Sequence, residues 1–142
     1  MAKHIETLRS VIDAWRRLDI DGVLEHVHDD LVWNNSGGLK PPLQGKEAMR
    51  ETLEGFAAIT KEGRWRLFDW AEVGDTVWME GVEEFFTHDG KHIAIPYAGI
   101  LNFQDDLIVN WREYFEGRIF EDMLDGGTMS PEVSAMLDRP EA

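Results

Sequence analysis

The spacing of apolar residues divides the chain into a helical first part and a strand-rich second part. Apolar side chains recur every three or four positions over residues 5–18, with mostly polar residues between them, which predicts an amphipathic helix. The same spacing predicts a short helix over residues 20–27, capped by Asp19 or Asp21. A longer helix is predicted over residues 46–63, where a glycine ends it.

The second half of the chain is predicted to form a meander of strands. Apolar and polar residues alternate there, and three short segments rich in Gly and Asp interrupt the alternation. The four predicted strands cover residues 64–73, 76–87, 91–103 and 107–115. Because the connecting turns are short, consecutive strands should pair antiparallel. A further short strand, residues 31–36, lies between the helices.

This order of elements predicts an α+β fold. A curved sheet with helices folded over one face would enclose a cavity that suits a small apolar ligand. A last helix is predicted over residues 119–124. Residues 1–125 then form a single domain, and residues 126–142 form a C-terminal tail that permits either a short helix or a loose end.

Composition and charge exclude several classes of protein. The chain has 142 residues, 28 acidic and 14 basic side chains, a formal net charge of −14 and no cysteine. Without cysteine there is no disulfide framework, thiolate zinc site or thiol nucleophile. The acidic balance disfavours a nucleic-acid partner, and the apolar runs are too short for a membrane span. Residues 1–6 carry charge where a signal peptide is apolar, so we expect a cytoplasmic protein.

The sequence has no recognisable motif for a metal, a phosphate-bearing cofactor or a nucleophile. His26 and His28 form the only close histidine pair, and their spacing does not place them on one helix face. Gly37-Gly38 lacks the Lys-Ser or Lys-Thr that completes a phosphate-binding loop. The serines have no nucleophile-elbow context. We therefore expect neither a metal nor a cofactor.

One acidic residue on the last predicted strand lies on a face that is otherwise apolar. Leu107, Val109, Trp111, Glu113 and Phe115 alternate onto one face, which is otherwise apolar. A carboxylate on a buried face must be paired, hydrogen-bonded or protonated. Glu113 is therefore either tied to a structural arginine or to backbone, or it is a general acid or base of raised pKa.

Polar residues on the neighbouring strands add to this candidate site. Tyr97 is the one polar side chain on the apolar face of the third strand, so its hydroxyl needs a partner or a ligand. His92 lies on the opposite face and is interpreted as a surface or interface residue. Asn35 could hold a water or a substrate oxygen, or could simply be a turn residue. Asp69 is an ambiguous acid that shares a predicted face with Trp65.

The second strand leaves two assignments open, because either of its faces could point inward. If Val77, Met79, Gly81, Glu83 and Phe85 are inward, Glu83 becomes a second buried carboxylate across the sheet from Glu113. Two facing acids cannot both ionise cheaply, so one would hold a proton near neutral pH. Such a pair could perform acid/base chemistry without a cofactor.

The segment Trp111-Arg112-Glu113-Tyr114-Phe115 resembles the Trp-Arg-Asp-Tyr-Phe-Asp signature of limonene-1,2-epoxide hydrolases, in the SnoaL-like branch of the NTF2-like superfamily. The resemblance extends to Asp29-Asp30, the helix after Gly45 and the Asp89-Gly90-Lys91 hairpin. It implies a cone-shaped fold, in which a strongly curved sheet is closed by helices, and a homodimer. The same fold hosts hydrolases, isomerases, cyclases, dehydratases, lyases and binding proteins.

The resemblance also implies roles for individual residues. The base, the acid and the water-holding Asn of the hydrolases correspond to Glu113, Glu83 and Asn35. Their water-holding Tyr corresponds to Trp33, which cannot accept a hydrogen bond, and their bridging Arg corresponds to Gly81, where the freed space could admit a larger substrate. With Tyr97 added to the catalytic set, the predicted substrate-binding residues are Trp33, Trp65, Phe85, Ile95, Trp111 and Phe115.

Three functions follow from these observations. The first is hydrolysis of a lipophilic epoxide by the Glu113 and Glu83 pair. The second is a cofactor-free lyase, dehydratase or isomerase acting on an aromatic or polycyclic substrate, with Tyr97 polarising an oxygen. The third is a non-catalytic binding or dimerisation module, in which both glutamates have fixed structural partners and no cavity reaches them.

Overall fold

The computed structural model describes residues 3–142; Met1 and Ala2, which open the predicted domain and the charged stretch 1–6, lie outside the described residues. The helices are α1 His4–Arg16, α2 Ile20–Leu24, α3 Gly45–Ile59, α4 Gly117–Leu124 and α5 Pro131–Met136. The strands are β1 Val27–Asn34, β2 Leu43–Gln44, β3 Thr60–Val73, β4 Thr76–Thr87, β5 His92–Gln104 and β6 Leu107–Tyr114. Within residues 3–142 no helix combines the length and apolar composition needed to cross a membrane.

All six strands form one curved sheet in the order β2-β1-β6-β5-β4-β3. The four-stranded meander β3 to β6 is antiparallel throughout, as predicted, and β1 adds to β6 in parallel. Helices α1, α2 and α3 pack over one face of this sheet, and the main core lies between the two layers. The α+β prediction is therefore confirmed.

The amphipathic pattern of α1 explains why this helix covers the sheet. Leu8 and Val11 are fully inaccessible to solvent, and Ile5 and Ile12 are nearly so. The Asp19 carboxylate accepts a hydrogen bond from the Gly22 N–H, which confirms the predicted cap of α2. The same face of the sheet carries the cavity described below.

Two predicted helix ends were wrong. The short helix α2 ends at Leu24, and Val27 already begins β1. The long helix α3 ends at Ile59 rather than at Gly63, because the backbone of Thr60 is extended and its hydroxyl donates to the Phe56 carbonyl at 2.7 Å. Gly63 lies within β3, beside α1.

Bulges in β6 and in β3 changed two predicted faces. In β6, Phe103 pairs with Ile108 and Asn102 with Asn110, so Val109 is an extra residue. Ile108 is buried in place of Leu107 and Val109, and the predicted alternation holds only from Trp111 onward. A similar shift after Leu67 in β3 leaves Asp69 exposed, so Asp69 does not share the inner face.

The C-terminal segment 126–142 contains the short helix α5 and contacts the sheet. Val133 of α5 is buried in a second apolar cluster with Phe68, Val82 and Ala94. Arg139 binds Glu80 at 3.0 Å, and the Ala142 N–H donates to the Leu67 carbonyl at 2.8 Å. The last 17 positions of the chain are therefore held against the domain by both apolar and polar contacts.

Candidate active site

A cavity of about 330 Å³ lies between the inner face of the sheet and helices α1, α3 and α4. All ten residues predicted for the site line its wall. These residues are Trp33, Asn35, Trp65, Glu83, Phe85, Ile95, Tyr97, Trp111, Glu113 and Phe115. The volume is at the lower end of the range typical of sites for small organic ligands.

Glu113 enters the cavity from the inner face of β6, two residues after the buried Trp111. The Trp111 indole Nε1–H donates to Glu113 Oε1 at 2.8 Å. Burial among apolar side chains raises the pKa of Glu113 to about 7, although the indole hydrogen bond opposes this rise. Among residues 3–142 no arginine, lysine or histidine forms an ion pair with Glu113.

Glu83 enters the same cavity from β4, so the inward face of that strand is the one that contains Glu83. Its carboxylate accepts a hydrogen bond of 3.1 Å from the Trp15 indole of α1. Burial, followed by the negative charge of Glu113, raises the pKa of Glu83 to about 8. The Trp15 hydrogen bond and the charge of Arg16 oppose that rise.

Tyr97 is held by the protein on both sides of its hydroxyl oxygen. It accepts a hydrogen bond from the Trp65 indole at 2.5 Å and donates to the Arg66 carbonyl at 3.0 Å. Burial raises the pKa of the phenol well above its ordinary value of 10, so it is neutral. Its only proton is therefore engaged with the backbone, and the partner that the sequence required is internal.

The space expected at Gly81 does not exist, so the prediction that this position admits a larger substrate was wrong. A Cβ atom placed on Gly81 would lie 1.9 Å from the Arg66 carbonyl oxygen and 2.6 Å from the Tyr97 hydroxyl oxygen. These two oxygens fill the volume next to the glycine. The absence of a side chain at this position is thus what allows β3 and Tyr97 to approach β4.

Tryptophan dominates the wall of the cavity. Four of the six tryptophans line it, namely Trp15, Trp33, Trp65 and Trp111. The rings of Trp65 and Trp111 stack with their centroids 5.9 Å apart, and Trp33 is tilted against Trp111 at 6.0 Å. The only basic side chain among the described lining residues is Lys40, which is exposed in the loop between β1 and β2.

The sequence did not identify Trp15 or Lys40 as site residues. Trp15 lies on the apolar stripe of α1, and helical periodicity alone does not reveal which strand faces that stripe. Lys40 lies in a loop for which no periodicity exists. Within residues 3–142 no three His, Cys, Asp or Glu side chains form a group suited to a metal ion.

The outer face of the same sheet carries a different arrangement of charges. Glu84 accepts hydrogen bonds from Arg66 Nε at 2.7 Å and from His92 Nε2 at 2.6 Å, and its side chain is 3% exposed. Burial opposes ionisation, but these two partners hold the pKa of Glu84 below its ordinary value. His92 is 39% exposed, which confirms that it is a surface residue facing away from the cavity.

Comparison with known proteins agrees with this architecture. The family model of the SnoaL-like domain matches residues 8–111, which is most of the chain. The chain belongs to the SnoaL-like family. The match covers the cavity-forming strands up to Trp111 and confirms the resemblance seen in the sequence.

Solved structures similar to this SnoaL-like protein have diverse names. An LEH-like epoxide hydrolase from M. tuberculosis is 21% identical, with 87% of this chain and 91% of that chain covered and a TM-score of 0.73. A putative SnoaL-like polyketide cyclase from Shewanella denitrificans is 15% identical, with 89% and 99% covered and a TM-score of 0.77. A putative hydroxylase from Streptomyces galilaeus is 18% identical, with 96% and 92% covered and a TM-score of 0.76. At these identities the likeness shows the shared fold alone.

Proposed function

We propose that this protein is a cofactor-independent acid/base enzyme that adds water to an epoxide on an apolar small molecule. The observation that carries the proposal is one cavity of about 330 Å³ whose wall holds Glu113, Glu83 and Asn35. Membership of the SnoaL-like family and the similarity to an LEH-like epoxide hydrolase support it. The binding-module alternative requires that no cavity reach the two glutamates, and the lining of this cavity argues against it.

The two carboxyl groups form one coupled pair that holds a proton near neutral pH. Burial raises the pKa of Glu83 to about 8 and that of Glu113 to about 7, and the charge of Glu113 adds to the rise at Glu83. In the resemblance to limonene-1,2-epoxide hydrolases, Glu83 corresponds to the acid and Glu113 to the base. The proposal therefore assigns Glu83 as the general acid and Glu113 as the general base.

The proposed step transfers one proton at each end of the reacting group. Glu113 takes a proton from a water that Asn35 helps to hold, and the water oxygen forms a bond to one epoxide carbon. The bond between that carbon and the epoxide oxygen breaks, and Glu83 gives its proton to that oxygen. The diol leaves Glu113 protonated and Glu83 ionised, and solvent returns both groups to their starting states.

The apolar wall is proposed to bind the rest of the substrate. Trp33, Trp65, Phe85, Ile95, Trp111 and Phe115 would contact it, since all line the cavity. In this proposal Tyr97 positions Trp65 and β3, because its proton is already donated to the Arg66 carbonyl. Trp15 and Trp111 orient the two carboxylates through their indole hydrogen bonds.

Elimination or isomerisation is a second candidate, and one observation favours it. Trp33 corresponds to the water-holding Tyr of the epoxide hydrolases, but its indole can only donate a hydrogen bond, and the Tyr97 proton is engaged with the Arg66 carbonyl. In an elimination, one glutamate would remove a proton from carbon while the other protonates a leaving hydroxyl. A double bond forms and water is released, so no water needs to be positioned beforehand.

Labelled water tests the proposal. Purified protein is incubated with lipophilic epoxides in H₂¹⁸O, and the product is analysed by mass spectrometry. Water addition gives a diol that contains one ¹⁸O, whereas rearrangement to an unlabelled carbonyl or alkenol product supports the second candidate. A Glu113→Gln variant that stays folded and keeps full activity would refute both assignments, and Glu84→Gln is the matched control on the outer face.

The oligomeric state and the cellular compartment belong to the same proposal. The resemblance implies a homodimer and the sequence implies a cytoplasmic protein. Light scattering coupled to size-exclusion chromatography tests the first point. A mass near the 16.3 kDa of one chain would contradict it.

A further inference from the structure

The cavity wall combines aromatic rings with two carboxyl groups, and a neutral epoxide does not satisfy the binding preferences of both. The wall presents the indole rings of Trp33, Trp65 and Trp111, together with Tyr97 and Phe115. Aromatic faces attract cations through their quadrupole, most strongly where water is excluded. The same wall holds two carboxyl groups, and a neutral aromatic ligand leaves any negative charge on them uncompensated.

Three of the four cavity tryptophans have their indole N–H groups engaged within the protein, whereas the buried Trp33 Nε1–H has no partner among residues 3–142. The Trp65 N–H is donated to Tyr97, and the Trp111 and Trp15 N–H groups are donated to the two carboxylates. These rings therefore offer a ligand mainly π surface and C–H groups. A lipophilic ligand with a hydrogen-bond acceptor gains little from them, whereas a ligand with a diffuse positive charge gains from every ring it meets.

No cation of the described chain supplies that charge inside the cavity. Lys40 lines the cavity but is exposed in its loop. Arg16 lies behind the wall, where its guanidinium donates to the Trp65 carbonyl and contacts Glu141. The positive charge of Arg16 lowers the pKa of Glu83, although the two groups form no ion pair. The carboxyl pair thus lacks a direct counter-ion among residues 3–142.

From this arrangement we infer that the cavity selects ligands that carry one lipophilic cation, a tertiary or quaternary ammonium group attached to an apolar or aromatic body. The inference deepens the proposed function, on which it rests for the identity of the site, by naming the substrate class as amine-bearing. The ammonium group contacts the tryptophan faces, and one carboxylate balances its charge.

Binding of such a cation is coupled to proton release. A positive charge near Glu83 and Glu113 favours their ionised forms, so the cation binds more tightly at pH 9 than at pH 6. The other groups facing the pair are Arg16 from α1, Lys40 from the loop and Tyr97 from β5. Burial raises the pKa of Tyr97 well above 10, so this group stays neutral over the interval. Comparison with the Glu83→Gln/Glu113→Gln double variant assigns the change in affinity to the two glutamates.

A pair of isosteric ligands tests the inference. 4-(Trimethylammonio)benzyl alcohol and 4-tert-butylbenzyl alcohol have the same shape and differ in one positive charge. Their binding is measured by quenching of tryptophan fluorescence and by calorimetry. The expected result is that the cation binds about tenfold more tightly or better, since a desolvated cation–π site contributes on that scale. A purely apolar cavity would instead prefer the neutral compound, because the ammonium group loses its hydration on entry.

Variants test whether the two cavity glutamates cause the preference for the cation. A Glu83→Gln/Glu113→Gln double variant should lose the preference for the cation and its pH dependence while it still binds the neutral compound. Glu84→Gln, on the outer face, should retain both. Equal or tighter binding of the neutral compound by the unmodified protein, or no binding of either compound, would overturn the inference.

The two ligands contain no epoxide and no leaving group, so this result is independent of turnover. A preference for the cation without diol formation would refute the proposed hydrolysis alone. Diol formation without a preference for the cation would refute the inference alone.

Discussion

Glu83 and Glu84 are consecutive residues of β4, yet their surroundings are opposite. Glu83 points into an apolar cavity, where its hydrogen-bond donor is the neutral Trp15 indole, and its pKa rises to about 8. Glu84 points to the other face of the sheet, where Arg66 and His92 bind it and hold its pKa below its ordinary value. One peptide bond separates a carboxyl group that keeps its proton from one that loses it readily.

Burial raises the pKa of both carboxyl groups, and the difference shows that only Glu84 has partners that outweigh this effect. The Glu84 side chain is 3% exposed, and its hydrogen bonds with Arg66 and His92 nevertheless hold its pKa below the ordinary value. Glu83 is less buried than Glu84 because it borders the cavity, but no cationic side chain among residues 3–142 binds it directly. The inner carboxyl is therefore available for proton transfer, whereas the outer one is a structural anion.

The largest expected difference between the two faces is in catalysis. Glu113→Gln or Glu83→Gln should lower turnover by about 10²–10⁴-fold, since each removes one proton-transfer group. Glu84→Gln should leave turnover within a few-fold, because its side chain does not reach the cavity. Initial rates on whichever substrate gives turnover in labelled water, with circular dichroism to confirm folding, decide the point. An equal loss from Glu84→Gln would refute the separation of the faces.

Stability should show the reverse order. Glu84→Gln replaces a charged acceptor of Arg66 and His92 by a neutral one, and it should lower the free energy of unfolding by about 2 kcal/mol at pH 7. Glu83→Gln should cost less than that, because the glutamine replaces a carboxyl group that is mostly protonated. Guanidinium denaturation of both variants measures the two values, and a larger loss for Glu83→Gln would contradict the comparison.

The pH dependence of stability should also separate the two faces. For Glu83 and Glu113 the folded pKa values of about 8 and 7 exceed the ordinary 4.5, so the folded state binds the extra protons and their contribution to stability decreases as pH rises from 4.5 to 8. The Glu84 contribution has the opposite sign, being present above 4.5 and lost as pH falls. Relative to the unmodified protein, the Glu83→Gln/Glu113→Gln variant should therefore gain stability between pH 5 and pH 9. A pH-independent difference in denaturation midpoints would show that these pKa values are not raised.

The smallest expected effect concerns the indole that binds Glu83. Trp15→Phe keeps an aromatic ring but removes a hydrogen bond that lowers the Glu83 pKa. The alkaline limb of the pH–rate profile should therefore move to higher pH, with a change in kcat/KM smaller than that of either glutamine variant. Trp78→Phe, on the exposed outer face, is the matched control and should leave the limb in place. A shift toward lower pH would contradict the assignment of Glu83 as the acid.

The alternation of apolar and polar residues predicted which side chains face the cavity wherever the strands contain no bulge. It identified Glu113 and Tyr97 as polar residues on apolar faces, and both line the cavity. Glu83 required the family resemblance, because both faces of β4 carry apolar residues and acids. Alternation failed where extra residues interrupt the strand pairing, at Val109 and after Leu67.

Contacts between distant elements could not be read from the sequence. The bond between Trp15 and Glu83 joins residues 68 positions apart, and it depends on how α1 is rotated over the sheet. Gly81 was interpreted as open space, whereas the Arg66 carbonyl and the Tyr97 hydroxyl fill it. Both outcomes follow from the packing of one element against another, which local propensity does not encode.

Direct titration of the glutamate carboxyl groups is the measurement closest to the central claim. Chemical shifts of the side-chain carboxyl carbons, followed by NMR from pH 3 to pH 10 in protein with labelled glutamate and assigned by the three glutamine variants, report each proton separately. The account predicts that Glu83 and Glu113 titrate near 8 and 7, while Glu84 titrates below its ordinary 4.5. Titration of both cavity carboxyls near 4.5 would contradict the claim that this site holds a proton ready for transfer at neutral pH.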